Sequence, residues 1–130
     1  MGLPFSHAML VYRRRLMRIE TRTEGDLLIV TPLDNRIDAS AAPDFKGNLH
    51  ALINDGALRI VLDLTHVEFI DSSGLSVLIS ILKSLSGKGE LMICSICNTV
   101  MTLFKLTRMD RIFKIYDTVE DAIKNNGAKP

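Results

Sequence analysis

Short unbroken apolar runs alternate along the chain with longer segments in which apolar residues recur every three or four positions. The first pattern suits buried strands and the second one-faced helices. Met17–Arg22 reads as an extended segment, Gly25-Asp26 as a turn and Leu27–Leu33 as an apolar strand, so the pattern predicts an opening β-hairpin. Pro32 and the polar Asp34-Asn35-Arg36 end it. Ser40 is placed to cap a helix over Ala41–Asn54, with Pro43 in the first turn, where its missing N–H costs little. Phe45, Leu49, Leu52 and Ile53 recur at helical spacing, and Asn54-Asp55-Gly56 stops the run.

Arg59–Leu64 predicts a buried central strand. Leu75–Leu85 predicts a second helix, closed by Ser86-Gly87-Lys88-Gly89, and Leu91–Ser95 another short strand. Val100, Leu103, Phe104 and Leu106 place a third helix, capped by Asn98 or Thr99, and Ile112–Tyr116 forms a last strand. Thr118 and Asp121, at capping-box spacing, open a terminal helix that runs to about Asn125. Two strands followed by alternating helices and strands imply an α/β sandwich. Its sheet is mixed and mostly parallel, with an antiparallel edge strand and about four helices. Sites in such folds gather beyond the carboxyl ends of the parallel strands, and the segment from His66 to Gly74 leaves one such end.

That segment closes on Asp71-Ser72-Ser73-Gly74. Asp and Ser cap helices because their oxygens accept the unpaired N–H groups of the first turn, so a cap is the plain reading. The helix that follows is apolar nearly all round. At about 100° per residue, Ser73, Ser76, Ser80, Lys83 and Ser84 share one narrow polar stripe, with Ser72 at its margin. Ser73 is thus expected to head a low ridge that another protein can approach closely. A phosphate there is compatible with the helix N-terminus and adds about −1.5 to −2 charge at that surface. A partner would have to desolvate it beside Asp71 and Glu68. Ser-His hydrolysis is disfavoured, since a nucleophile elbow needs glycine two residues before the serine and Asp71 stands there.

Composition narrows the field further. The 130 residues suffice for one domain, 47% are hydrophobic, and 16 basic residues face 15 acidic ones. Near-neutrality and an aromatic content of 5% without tryptophan argue against direct nucleic-acid binding. The balance is uneven, because residues 1–22 carry five arginines against Glu20 alone. Residues 1–16 are read as a disordered basic extension or a start-site artefact, 17–126 as the domain and 127–130 as a tail. Cys94 and Cys97 read as core thiols rather than a redox pair. Asp63 and Asp71 read as loop and cap carboxylates rather than metal ligands, and Met92, Met101 and Met109 as packing residues. Arg108, Arg111 and Lys114 read as a solvated basic face. No apolar run reaches the length of a membrane span, no stable membrane insertion is expected, and the protein is expected in the cytoplasm. No phosphate-cradling loop, cofactor or metal is implied.

Val67-Glu68-Phe69-Ile70-Asp71-Ser72-Ser73-Gly74-Leu75 resembles the signature of bacterial anti-sigma factor antagonists, which are single STAS domains. The likeness runs from Met17 to about Ile123. It takes in Asn35-Arg36-Ile37-Asp38-Ala39, similar to the family's post-strand loop, and the stretch from Leu103-Phe104 to Ile112-Phe113. The resemblance implies a regulatory protein that is not an enzyme. Unphosphorylated, it would bind an anti-sigma factor that is also a serine kinase and so free a sigma factor. Phosphorylation of Ser73, the serine before the glycine, would end the complex, and a PP2C-type phosphatase would reset it. The same resemblance makes Asp38, Asp71, Ser72 and Gly74 partner-facing, continued by Ser76, Ser80 and Lys83 along the ridge. The rival is a STAS subunit whose ridge docks permanently to a membrane transport ATPase complex. A small-ligand sensor ranks lower for want of a phosphate loop.

Overall fold

The computed structural model describes residues 16–127. The hairpin forms as expected, slightly shifted: β1 (Ile19–Glu24) and β2 (Leu27–Pro32) pair antiparallel, with Ile19 opposite Pro32 and Glu24 opposite Leu27. Gly25 at φ 62° makes the turn, a left-handed conformation that glycine adopts without Cβ strain. The chain continues through β3 (Arg36–Ile37), α1 (Ala42–Asn54), β4 (Arg59–Asp63), β5 (Phe69–Ile70), α2 (Ser72–Leu85) and β6 (Glu90–Cys94). It ends with α3 (Asn98–Leu106), a single 3-10 turn at Met109–Arg111, β7 (Lys114–Tyr116) and α4 (Val119–Asn126).

The main sheet has the order β1-β2-β4-β6-β7, parallel except for β1 at its edge. Alternate residues of a strand face opposite sides, and here both sides are apolar. Ile60, Leu62, Leu91 and Ile93 pack in the larger core with Phe45 and Leu49 of α1, Leu78, Ile81 and Leu85 of α2, and Phe104 of α3. Ile29, Val61, Met92 and Cys94 face the other way, under Val119 and Ala122 of α4. Among the described residues, the α/β sandwich with a mixed, mostly parallel sheet and four helices is therefore the architecture observed.

Local boundaries differ at several places. Ser40 does not cap α1. The helix starts one residue later, with Ala41 at its N-cap and no side-chain cap, and Asp38 holds the turn before it: Oδ1 accepts from the N–H of Ser40 (3.1 Å) and Ala41 (3.3 Å), and from the Ser40 hydroxyl (2.7 Å). Neither Asn98 nor Thr99 caps α3, whose N-cap residue is Cys97. Of the strand expected over Ile112–Tyr116, Lys114–Tyr116 form and pair with β6, while Ile112 and Phe113 belong to the turn that follows Arg108 at φ 63° and the 3-10 turn. Thr118 caps α4 as expected, accepting from the N–H of Asp121 at 3.0 Å. The extension assigned to 1–16 and the tail at 127–130 fall, but for Leu16 and Gly127, outside the described residues.

Charged side chains brace the amino ends of the parallel strands. Arg59 reaches both carboxylate oxygens of Asp26 (2.8 and 2.9 Å), Glu90 (3.2 Å) and the carbonyl of Asn126 (2.6 Å), and Lys114 bonds Glu90 at 2.7 Å. The Lys114 hydrogen bond, aided by Arg59, holds the Glu90 carboxyl below its ordinary 4.5 despite some burial. A carboxyl with a lowered folded pKa stabilises the fold at neutral pH, and that contribution fades as pH falls from the unfolded value through the folded one. The melting temperature should therefore drop as the medium is acidified below pH ~4.5, and Glu90→Gln should flatten part of that slope. An unchanged acid slope in the variant would show that these pairs contribute nothing.

Candidate functional site

The Asp71-Ser72-Ser73-Gly74 turn opens α2 three residues earlier than the apolar pattern suggests. Asp71 is the N-cap, and its Oδ1 accepts from the N–H of Ser73 (2.9 Å) and Gly74 (3.2 Å). Its other oxygen, Oδ2, accepts from the N–H of Ala39 at 3.2 Å. One carboxylate thus caps the helix and ties its N-terminus to the loop that holds Asp38. That loop is also pinned through the backbone: the Asn35 carbonyl accepts from the N–H of Glu68 and Phe69, and the Ile37 carbonyl from that of Asp71. These bonds accompany a two-stranded parallel sheet of β3 and β5, with Arg36 beside Phe69 and Ile37 beside Ile70.

Gly74 is buried at the centre of this junction. A Cβ there would lie 2.7 Å from the Ile37 carbonyl oxygen and 2.7 Å from Ile70 Cγ2. Glycine after the serine pair is therefore what lets α2 sit directly on the small sheet.

The expected ridge is present in part. Ser72, Ser76 and Lys83 are exposed, while Ser73, Ser80 and Ser84 are half-buried. Ser72, placed at the margin by helical spacing, is more open than Ser73. The Ser76 hydroxyl donates to the Ser72 carbonyl at 2.9 Å, and Ser80 Oγ lies 3.4 Å from His50 Nε2 on α1. Ser76, Ile79, Ser80 and Lys83 line a surface groove of about 330 Å³. Asp38, Asp71, Ser72, Ser73 and Gly74 thus come together at one pole, with Ser76 one turn on. Lys83, ten residues beyond Ser73, lies roughly 15 Å down the helix.

Arg36 and Phe69 were not singled out from the sequence. The Arg36 guanidinium sits 4.2 Å from the Phe69 ring centroid and 3.4 Å from Asp38 Oδ2. It places a cation among the acids of the turn. Two-residue strands carry no readable periodicity, so only the polar run at Asp34-Asn35-Arg36 hinted at them. His50 was likewise missed.

Cys94 and Asp63 have structural employment. Cys94 is buried, its Sγ is 3.7 Å from the Leu62 carbonyl, and burial pushes its thiol up to about 12. Asp63 accepts from the Thr65 N–H at 3.1 Å as a loop carboxylate. No described helix is long and apolar enough to cross a membrane.

A family model for the STAS domain matches residues 18–122. A candidate anti-sigma factor antagonist of Thermotoga maritima is 42% identical over 73 residues, 55% of this chain and 65% of that protein. The match therefore spans just under two thirds of that relative's length. A crystal structure of a candidate antagonist from the same organism has a TM-score of 0.77 at 34% identity, covering 82% of this chain and 92% of that one. The anti-sigma-B factor antagonist of Listeria monocytogenes is 32% identical over 93 residues, 71% of this chain and 81% of that protein. The phosphorylated form of SpoIIAA from Bacillus, 19% identical with a TM-score of 0.63 over 84% of this chain and 97% of that one, shares the fold.

Proposed function

The chain belongs to the STAS domain family, and from that premise we propose that it is an anti-sigma factor antagonist switched by phosphorylation of Ser73. Unphosphorylated, it binds an anti-sigma factor serine kinase in the cytoplasm and releases the sigma factor. The kinase moves the γ-phosphoryl of ATP to Ser73 Oγ, which loses its proton, and ADP leaves. A PP2C-type phosphatase hydrolyses the ester, returning serine and inorganic phosphate. The chain performs no chemistry of its own.

The position of Ser73 carries this reading. It is the second residue of α2, half-exposed, with its N–H held by Asp71 and its turn tied to the Asp38 loop. A phosphate here joins the carboxylates of Asp71, Asp38 and Glu68, and it competes with Asp71 for the N–H groups of the helix start. Any displacement of Asp71 also loosens its hold on Ala39. Charge and loop position then change together on the surface the kinase covers. In support, SpoIIAA shares this fold and has a phosphorylated form.

Incubation of the chain with its anti-sigma factor kinase and ATP, followed by mass mapping, tests the assignment. One phosphate on Ser73, and none on Ser73→Ala, is the expected result. Phosphate on the more open Ser72, or no uptake at all, would overturn it.

A further inference from the structure

Charge is unevenly distributed along the axis of the sheet. At the carboxyl ends of the parallel strands lie Asp38, Asp63, Glu68 and Asp71, around the switch turn. The opposite pole holds the turn that joins the end of α3 to the start of β7, and its character is basic and apolar. Leu106 is 78% exposed and Ile112 51% exposed. Lys105, Arg108 and Arg111 stand around them, exposed and without an ion-pair partner among the described residues. Asp110 is the one acid between residues 105 and 112, against these three cations, and Asp26 and Glu90 nearby are engaged by Arg59 and Lys114.

The outward display is held in place from below. Phe104 and Phe113, which bracket the turn, are buried with ring centroids 6.1 Å apart. Bonds from the N–H of Arg108 to the Lys105 carbonyl and from Arg111 to the Arg108 carbonyl close the turn. Leu106 and Ile112 therefore do not fold back into the core.

We propose that this turn is a reversible docking surface for an anionic phospholipid membrane. Leu106 and Ile112 enter the headgroup–acyl boundary while Lys105, Arg108 and Arg111 meet the lipid phosphates. The size of the feature favours lipid over an acidic protein. A stable protein interface takes roughly 800 Å² from each partner, far more than two aliphatic tips provide. Lipid binding instead accumulates side chain by side chain, each cation contributing about fivefold in partition. Docked this way, the Ser73 pole points away from the bilayer, and the surface works whether or not Ser73 is the phosphoacceptor.

The test is flotation of the full chain with vesicles of phosphatidylcholine alone or mixed with phosphatidylglycerol. Binding to the mixed vesicles that weakens with salt is expected. Lys105→Gln/Arg111→Gln should lose about twentyfold or more in partition, and Leu106→Ser/Ile112→Ser should lose most of it, both with unchanged melting because the side chains are exposed. Because the basic segment before Met17 could itself bind lipid, Arg13→Gln/Arg14→Gln/Arg15→Gln is the control and should bind like the parent. Equal binding to neutral vesicles, retention by the turn variants, or loss in the triple-arginine variant would overturn the proposal. So would binding to duplex DNA or polyglutamate without binding to vesicles.

Discussion

Ser73→Asp is expected to weaken binding to the anti-sigma factor kinase by about a hundredfold or more while the domain stays folded. The added carboxylate would sit beside Asp71, whose oxygens are already committed to the Ser73, Gly74 and Ala39 N–H groups. A partner covering the turn must then desolvate a second negative charge with no free donor to receive it, and like charges buried together cost several kcal/mol. Within the isolated domain the two electrostatic effects oppose each other. The helix N-terminus favours an acid by about 0.3–1 kcal/mol, and repulsion from Asp71 offsets that. Titration of the kinase with parent, Ser73→Asp and the neutral Ser73→Asn separates charge from shape, with the asparagine variant expected to bind within about threefold of the parent. Undiminished affinity of Ser73→Asp would sink the switch.

Gly74→Ala should destabilise the domain and weaken the same binding without changing any charge. In an open helix position the substitution helps, because alanine is the better helix former by about 1 kcal/mol. At Gly74 the new Cβ would meet the Ile37 carbonyl oxygen and Ile70 Cγ2, both at 2.7 Å, and Ile37 Cγ2 at 3.0 Å. One of these is backbone of β3, so α2 and the small sheet must separate, at a cost of about 1–3 kcal/mol that outweighs the propensity gain. The Ile37 carbonyl also receives the Asp71 N–H, so the movement reaches the cap and, through it, the Asp38 loop. A melting temperature lower by roughly 5–10 °C is expected. Gly47→Ala, in α1 with nothing within 4 Å of its Cβ, should shift it the other way. If both variants moved stability in the same direction, close packing at Gly74 would not be the reason for the glycine.

Much of the fold was legible because its signals are local. The runs Ile60-Val61-Leu62 and Leu91-Met92-Ile93 name strands buried on both sides, as found. Thr118 announces α4 by a cap that needs only residues three apart. Where the reading went astray, a competing contact had intervened. Ser40 looks like a helix cap by its own chemistry, yet its hydroxyl is turned to Asp38 and its N–H is already bound there. Ile112 looks like the start of a strand, yet Phe113 is drawn into the core against Phe104 and leaves Ile112 in solvent.

The candidate site divides along the same line. The sequence by itself determined the order of elements, the apolar character of α2 and the identity of the Asp71-Ser72-Ser73-Gly74 turn, because helix periodicity and capping depend on near neighbours. Tertiary structure alone decided that β3 and β5 would pair, that Asp71 would reach Ala39 across 32 residues of chain, and that Gly74 would be pressed against Ile37. Each of these depends on which strand ends a parallel sheet brings together, and strand pairing between residues far apart in the chain is the quantity that local pattern does not encode.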